Sequence, residues 1–461
     1  MQNIYEETNL LDKRAIDKFL LTEEILVENA SNAIAQLIAK LTHPKSLIYI
    51  VCGGGNNGAD GLALARKLNQ DYHIKVLMPH PPKTALCEKE LYRCKSAGVD
   101  FVSKLFPSDV LVDCLFGSGF RGELDTATKE LIAQMNKFPR IKIACDIPSG
   151  LSTLPQDIAF QADYTICMGG LKRILFTEWA KDYTGEMILA PLGIAHKNYQ
   201  INSNIKLLDA SDLRLPTRHK EDTHKGEYGH LAVLTKQTPR SKIGASVLCA
   251  LSAIAFGVGR VSLVGSQESI PFEIIKTDTI PPDAQVVAFG MGAGEIEESD
   301  FAKLSPYDCL LDADVFYHPS LIPFLQRERQ TILTPHIKEF ASLLRLCGIC
   351  DLPLEDIKAK RDEFLSVFCT RFPNVIIVLK GANTLIAQNQ KVWVCNLGRN
   401  NLAKGGSGDV LAGMIASLMA QGRDGLRASV DAVLAHALAS CKIKSTYGLN
   451  PMDLIETIKT L

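Results

Sequence analysis

The sequence lacks any surplus of charge: its 461 residues carry 50 Lys and Arg against 51 Asp and Glu, a formal net charge of −1. That balance excludes the basic footprint expected of a nucleic-acid or anionic-membrane binder, and it favours a small-molecule partner. Long apolar runs are also missing, since the two most apolar stretches, 245–258 and 410–420, fall short of a membrane span. Residues 1–20 are mixed and charged, with Glu6, Glu7, Asp12, Lys13 and Arg14 where a signal peptide would need an apolar core. Thirteen cysteines is an odd number, scattered without the Cys/His spacing of a zinc site and set largely in apolar runs, as at Cys52, Cys114, Cys145 and Cys249. Such usage suits a reducing compartment rather than a disulfide framework. The expectation is a soluble cytoplasmic protein that binds neither nucleic acid nor membrane.

What the sequence does have is length for about two domains and two glycine-rich loops, 53–61 and 404–409, each leading into an apolar helical pattern. Glycines let backbone N–H groups approach an anion closely, and the helix that follows adds unpaired amides and a positive dipole end. Around each loop, short apolar strands alternate with helical patterns: 46–52, 73–78, 110–113, 141–146 and 163–168 in the first half, and 229–235, 260–264, 285–289, 309–312, 331–334, 375–379 and 384–387 in the second. This rhythm predicts α/β architecture with a parallel sheet in each half. The polar, charged interval 211–228 separates the halves, and the expected division is 1–212 and 213–461.

In the first half, Gly53, Gly55 and Gly58 satisfy a dinucleotide-binding pattern after a strand, but the acidic residue expected at the end of the next strand is missing, so an ordinary NAD dehydrogenase is disfavoured. Two other strand ends carry polar groups, Asp113 with the 117–123 loop and Asp146 with Ser149-Gly150. Strand C-terminal ends of an open α/β sheet converge on one crevice. Oxygen donors from Asn57, Asp113 and Ser149 suit a hard cation. Arg121 and the 117–122 backbone suit phosphates, and Asp146 suits proton transfer. An isolated Asp after a strand is more often a turn former or helix cap; it is the joint occurrence that points to a site.

In the second half, Gly405, Gly406, Ser407 and Gly408 open a helix that carries Asp409 in its first turn, an order unlike a Walker A loop. Amides there face developing negative charge while Asp409 accepts a proton from an attacking hydroxyl, a geometry for phosphoryl transfer to an alcohol. Lys380 to Thr384, His336 and the glycine run 290–294 mark further strand ends of the same half. Taken singly, Lys380 reads as a solvated surface lysine and His336 as a histidine beside a turn.

The segments GGGNNGADGL (53–62), DCLFGSGFRGE (113–123), DIPSGL (146–151), HKGEYGHLAVL (224–234), FGMGAG (289–294), LDAD (311–314), LTPHIKEFASLL (333–344), LKGANT (379–384) and GGSGDVLAGMIASLMAQG (405–422) occur in this order along the chain. Together they resemble the bifunctional NAD(P)H-hydrate repair enzymes. The resemblance implies an N-terminal Rossmann-like three-layer parallel-sheet domain that interconverts the R and S epimers of NADHX and NADPHX, the C6-hydroxylated forms of the reduced cofactors. It further implies a C-terminal ribokinase-like three-layer α/β domain that dehydrates the S form, with ADP converted to AMP and phosphate, ATP as another possible donor and magnesium as counter-ion.

By the same resemblance, the hydrate in the first domain contacts Asn56, Asn57, Gly58, Ala59, Asp60, Gly117, Ser118, Gly119, Phe120, Arg121, Gly122, Glu123 and the catalytic Asp146; Asn57, Asp113 and Ser149 hold potassium. In the second, Ala245, Gly292, His336 and the catalytic Asp409 meet the hydrate, while Lys380, Gly381, Ala382, Asn383, Thr384, Gly405, Gly406, Ser407 and Gly408 meet the nucleotide. A homo-oligomer is the family-based expectation. The departures are Ala59 in place of a glycine, the 235–243 loop, and Arg399-Asn400-Asn401-Leu402 before the anion hole; the last two bear on nucleotide preference. A ribokinase-like vitamin or hydroxymethylpyrimidine kinase fused to a nucleotide-binding domain is the rival reading.

Overall fold

A computed structural model describes residues 1–120, 122–153, 157–266 and 268–461. The chain forms two compact units, one of residues 3–203 and one of residues 204–461 with Met1 and Gln2. The units thus divide at 203/204, ahead of the expected 212/213. The cause is a strand the sequence does not advertise: Ile205–Leu207 pairs in parallel with Lys391–Cys395, which ties the segment to the second unit. Among the described residues, no helix is long and apolar enough to cross a membrane.

The strands, in chain order, are β1 (Gln2–Tyr5), β2 (Leu47–Cys52), β3 (His73–Leu77), β4 (Asp100–Val102), β5 (Ser108–Cys114), β6 (Pro139–Cys145), β7 (Tyr164–Met168), β8 (Leu171–Lys172) and β9 (Glu186–Ala190) in the first unit. Seven of them form a sheet ordered β4-β3-β2-β5-β6-β7-β9, every pair of it parallel. Alternate residues of one strand serve different cores: Ile48, Ile50 and Cys52 pack with helices Asn9–Phe19, Glu23–Leu41 and Asn56–Leu68, whereas Tyr49 and Val51 pack with helix Thr126–Lys137. A sheet buried on both faces is a three-layer α/β unit, as the near-continuous apolar strands require. The strand order reverses between β2 and β5, so the turns after these two strands lie side by side at the crevice. The short strands β4 and β9 sit at the sheet's two ends, where a few residues leave little periodicity to read.

The second unit contributes β10 (Ile205–Leu207), β11 (His230–Leu234), β12 (Arg260–Val264), β13 (Ile275–Thr277), β14 (Val286–Phe289), β15 (Asp308–Leu311), β16 (Thr331–Leu333), β17 (Val375–Leu379), β18 (Thr384–Gln388) and β19 (Lys391–Cys395). They run in the order β13-β12-β11-β14-β15-β16-β17-β18-β19-β10. Pairing is parallel except around β18, which is antiparallel to both neighbours. The helices Ile243–Ala255, Ser407–Ala420 and Gly425–Lys442 pack on one face of this sheet in a single large core. Every cysteine is a free thiol, including Cys347 and Cys350, which do have Cys-x-x-Cys spacing.

Two candidate sites at the ends of two parallel sheets

The turn after β2 is tight because three of its glycines have no room for a side chain. A Cβ on Gly53 would lie 1.9 Å from the Leu115 carbonyl oxygen, one on Gly54 2.4 Å from the Pro81 carbonyl oxygen, and one on Gly58 1.9 Å from the Gly53 carbonyl oxygen. The turns after β2 and β5 therefore touch, backbone to backbone. Helix Asn56–Leu68 starts at this contact, and its first-turn amides face the crevice.

Asn57, Asp113 and Ser149, which the sequence nominates as cation ligands, surround the turn after β5. A Cβ on Gly117 would sit 3.4 Å from the Asn57 side-chain oxygen. The Ser149 hydroxyl donates to Asp113 Oδ1 at 2.7 Å and accepts from the Phe116 amide at 3.0 Å, while the Ser149 amide donates to Asp113 Oδ2 at 2.7 Å. Asp113 is fully buried, and burial lifts its carboxyl to about 6 against the opposing pull of those Ser149 bonds. The Asn57 side-chain nitrogen is buried without a hydrogen-bond partner. A desolvated carboxylate, a hydroxyl and the Asn57 side-chain oxygen beside Gly117 are hard oxygen donors of the type potassium takes, so the residues fit that ion; the unpartnered Asn57 nitrogen, a donor, has no part in that fit.

Asp146 follows β6 in a left-handed conformation, φ +71°, rare for a non-glycine residue. Its Oδ2 accepts from the Ser118 amide at 3.4 Å, so the 117–119 turn lies between the cation ligands and Asp146. Its Oδ1 accepts from the Met168 amide at 3.3 Å and from the Lys172 ammonium at 2.5 Å. Lys172 is 1 % exposed. Sequence reasoning passed over this lysine; its signal is a cation two residues beyond Gly169-Gly170 at a strand end. Asn56 and Asp60 line an adjoining cavity of about 430 Å³ together with Asp12 and Met168. Burial and the nearby Asp146 charge push the Asp60 carboxyl well above its ordinary range. Gly119, Gly122 and Glu123 are exposed, Phe120 stacks on Phe116 with ring centroids 4.2 Å apart, and Arg121 lies outside the described residues.

In the second unit the predicted residues also converge. Gly292, at φ +63°, could not carry a Cβ, which would lie 2.3 Å from the Lys242 carbonyl oxygen and 3.2 Å from the Ala245 side chain. Ala245 and Gly292 are thus neighbours. Lys380 follows β17, and its amide donates to the Pro335 carbonyl, placing it beside His336. Its ammonium is no solvated surface group: it donates to Asp312 Oδ1 at 2.8 Å, and Asp312 is 2 % exposed. A Cβ on Gly408 would lie 3.4 Å from the same ammonium, so Lys380 also stands at the mouth of helix Ser407–Ala420.

Asp409 sits in that helix's first turn, and burial, with the Asp312 charge beside it, lifts its carboxyl to about 6. Lys380 thus bonds one carboxylate, Asp312, and offsets the charge of another, Asp409, and these carboxylates are oxygen donors of the kind magnesium accepts. His336 caps helix Ile337–Leu346 with Glu339, whose carboxyl burial raises to about 7. Gly381 and Ala382 are exposed, Asn383 is buried and Thr384 half-buried. A second residue missed by sequence is His436, whose ring meets the Ser407 carbonyl at 3.0 Å; burial pushes its titration down to about 4, so the neutral ring donates. Gly405 is exposed, and Gly406 caps the helix at φ +92°.

Comparison with known proteins places both halves. Residues 23–174 match the family model described as YjeF-related protein N-terminus, and residues 240–460 match the one described as NAD(P)H-hydrate dehydratase. The bifunctional NAD(P)H-hydrate repair enzyme of Helicobacter pylori is 41 % identical, with all of each chain covered. That of Coxiella burnetii is 30 % identical over 98 % of this chain and 97 % of its own. Among solved structures, the Bacillus subtilis ADP/ATP-dependent NAD(P)H-hydrate dehydratase co-crystallised with ATP and magnesium is similar over 56 % of this chain and 98 % of its own, at 24 % identity and a TM-score of 0.47. With two strand-end sites in place and end-to-end identity at this level, the chain belongs to the family of bifunctional NAD(P)H-hydrate repair enzymes.

Proposed function

We propose that this chain restores hydrated NADH and NADPH, the first unit interconverting the R and S epimers of the hydrate and the second dehydrating the S form. The observation that carries this reading is the end-to-end identity with curated repair enzymes across both units; the convergence of the nominated residues at two separate sheet ends supports it.

Epimerisation needs C6 of the nicotinamide ring to lose and regain its fourth bond on the opposite face. With Asp146 as a carboxylate, it takes the proton of the C6 hydroxyl; the carbonyl forms, and the C6–N1 electron pair passes to N1. Asp146 returns its proton to N1, the C5–C6 bond rotates, and the reverse steps close the ring on the other face. The Gly117 to Gly119 backbone and the first-turn amides of helix Asn56–Leu68 hold the phosphates. Asn57, Asp113 and Ser149 would hold potassium, which supplies fixed positive charge beside those phosphates.

In the second unit, Asp409 takes the proton of the C6 hydroxyl of the S hydrate as that oxygen attacks the β-phosphorus of ADP and AMP leaves. Phosphorylation turns a poor leaving group into a good one. The N1 electron pair then expels phosphate, a proton leaves C5, and the C5–C6 double bond of NADH or NADPH is restored. Amides of Gly406 to Gly408 and the Lys380 ammonium stabilise charge on the transferring group. Magnesium on the nucleotide's phosphates would shield them further. Ala245, Gly292 and His336 border the hydrate, and Lys380 to Thr384 with Gly405 to Gly408 border the nucleotide. ADP is the proposed donor and ATP the competitor, and the 235–243 and 399–402 loops are the segments that bear on that preference.

The test is recovery of reduced-nicotinamide absorbance from a mixture of R and S hydrates, with potassium, magnesium and either ADP or ATP. Complete recovery with release of free phosphate is expected. Accumulation of a stable phosphorylated alcohol instead would replace the dehydratase with a small-molecule kinase.

A further inference from the structure

The mechanism above uses Asp146 as a base but assigns nothing to the cation bonded to it. Lys172 sits in a two-residue strand that pairs with β1, Lys172 opposite Tyr5. At 1 % exposure it has left water almost entirely, a state a lysine sustains only when a partner returns what solvation is lost. Its bonded partner is Asp146. Further carboxylates, Asp12 on helix Asn9–Phe19 and Asp60 on helix Asn56–Leu68, lie close enough to feel it, and both line the same cavity. Asp12 accepts from the Tyr199 hydroxyl at 2.5 Å.

One buried cation thus serves three acidic side chains but hydrogen-bonds Asp146. A structural ion pair would be indifferent to where its carboxylate stands. This one holds a carboxylate on a strained, left-handed backbone, φ +71°, at the crevice end of β6. Met168 and Ser118 amides complete the grip from the adjoining turns.

We propose that Lys172 is a positioning residue of the epimerase site, keeping Asp146 ionised and aimed at the C6 hydroxyl while Asp12 and Asp60 stand as competing acids around the same cavity. The proposal rests on the reading of Asp146 as the epimerase base. The placing of Asp12 and Asp60 supports it, since burial pushes both carboxyls above their ordinary range around the cavity they line while Lys172 bonds Asp146. The titratable groups facing Asp146 are Lys172 on β8, Asp60, Asp12, Tyr199 and the thiols of Cys145 and Cys167. Lys172 is the single cation among these six.

The experiment is the pH–rate profile of R-to-S exchange in the full chain carrying Lys172→Met, with Lys172→Arg and Asp146→Asn beside it and dehydration of the S hydrate as internal control. Loss of the cation should cut kcat by about 30-fold or more with KM within about threefold, and move the acid limb upward by about one pH unit or more. Lys172→Arg should restore the wild-type limb. A uniform rate loss with an unmoved acid limb, or a rise in KM alone, overturns the proposal. If Lys172→Met unfolds the first unit, the Lys172→Arg variant decides, since an unchanged profile supports and a lost one overturns. An Asp146→Asn chain that still epimerises would sink the underlying reading of Asp146 instead, a result distinct from an inert Lys172.

Discussion

Asp409 shows how one residue ties chemistry to pH. Its carboxyl titrates near 6 because it is buried beside Asp312, with Lys380 only partly offsetting the cost of charge. As the proposed base, Asp409 works ionised, so dehydration should decline as the pH falls through about 6, and a profile flat down to pH 5 would show that another group takes the proton. Stability runs the other way. A carboxyl raised in the folded state gives stability that is complete below its unfolded value, near 4, and lost as the pH rises through 6. Asp409→Asn should therefore lower dehydration about 10²- to 10⁴-fold and gain melting temperature at pH 8 but not at pH 4, read by kinetics and by thermal melts at both pH values. The position of Asp409 was legible in the sequence, because a glycine loop ahead of an apolar helical run puts it in the helix's first turn. Lys172 and His436 were not, because what distinguishes them is burial against a partner distant in the chain, and no spacing records that.

At the scale of elements, both sites depend on helices whose first turns are set by glycines that cannot be replaced. Gly406 combines φ +92° with a would-be Cβ 2.4 Å from the Pro451 ring, so an alanine there must shift the backbone that presents the amides proposed to bind the transferring phosphate. Gly406→Ala should reduce dehydration about 10²-fold while sparing epimerisation, and equal loss of both would show a global effect. Gly58→Ala drives a Cβ to 1.9 Å from the Gly53 carbonyl oxygen inside the contact between two turns. It should cost about 2–4 kcal/mol by denaturant titration and abolish epimerisation first. These loops were visible in the sequence as composition, and the long buried strands as unbroken apolar runs. The strands β4, β9, β10 and β13 were not, since they are largely exposed or half-buried and lack a buried apolar run, and neither were β1, β8 and β19; β10 is what sets the unit division at 203/204.

For the whole molecule, the consequence of two compact units is that each proposed site draws its named residues from one of them. Asn57, Asp60, Asp113, Asp146, Ser149 and Lys172 fall within residues 3–203, and Ala245, Gly292, Asp312, Lys380, Asp409 and His436 within residues 204–461. The residues named for each proposed site fall in a single unit, so the two activities should separate by mutation. With a mixture of the R and S hydrates, Asp146→Asn should recover NADH rapidly up to the S fraction and then stall at the rate of uncatalysed epimerisation, while Asp409→Asn should recover none. The intermediate that links the sites is the S hydrate itself, a soluble dinucleotide that needs no covalent carrier to travel. Mixing the Asp146→Asn and Asp409→Asn chains in equal amounts should then restore complete recovery, at a rate that rises with total protein concentration. Failure of the mixture, with each chain retaining its own single activity, would mean that the hydrate must pass between sites of one molecule, and that the fusion of the two units is part of the reaction rather than a convenience of expression.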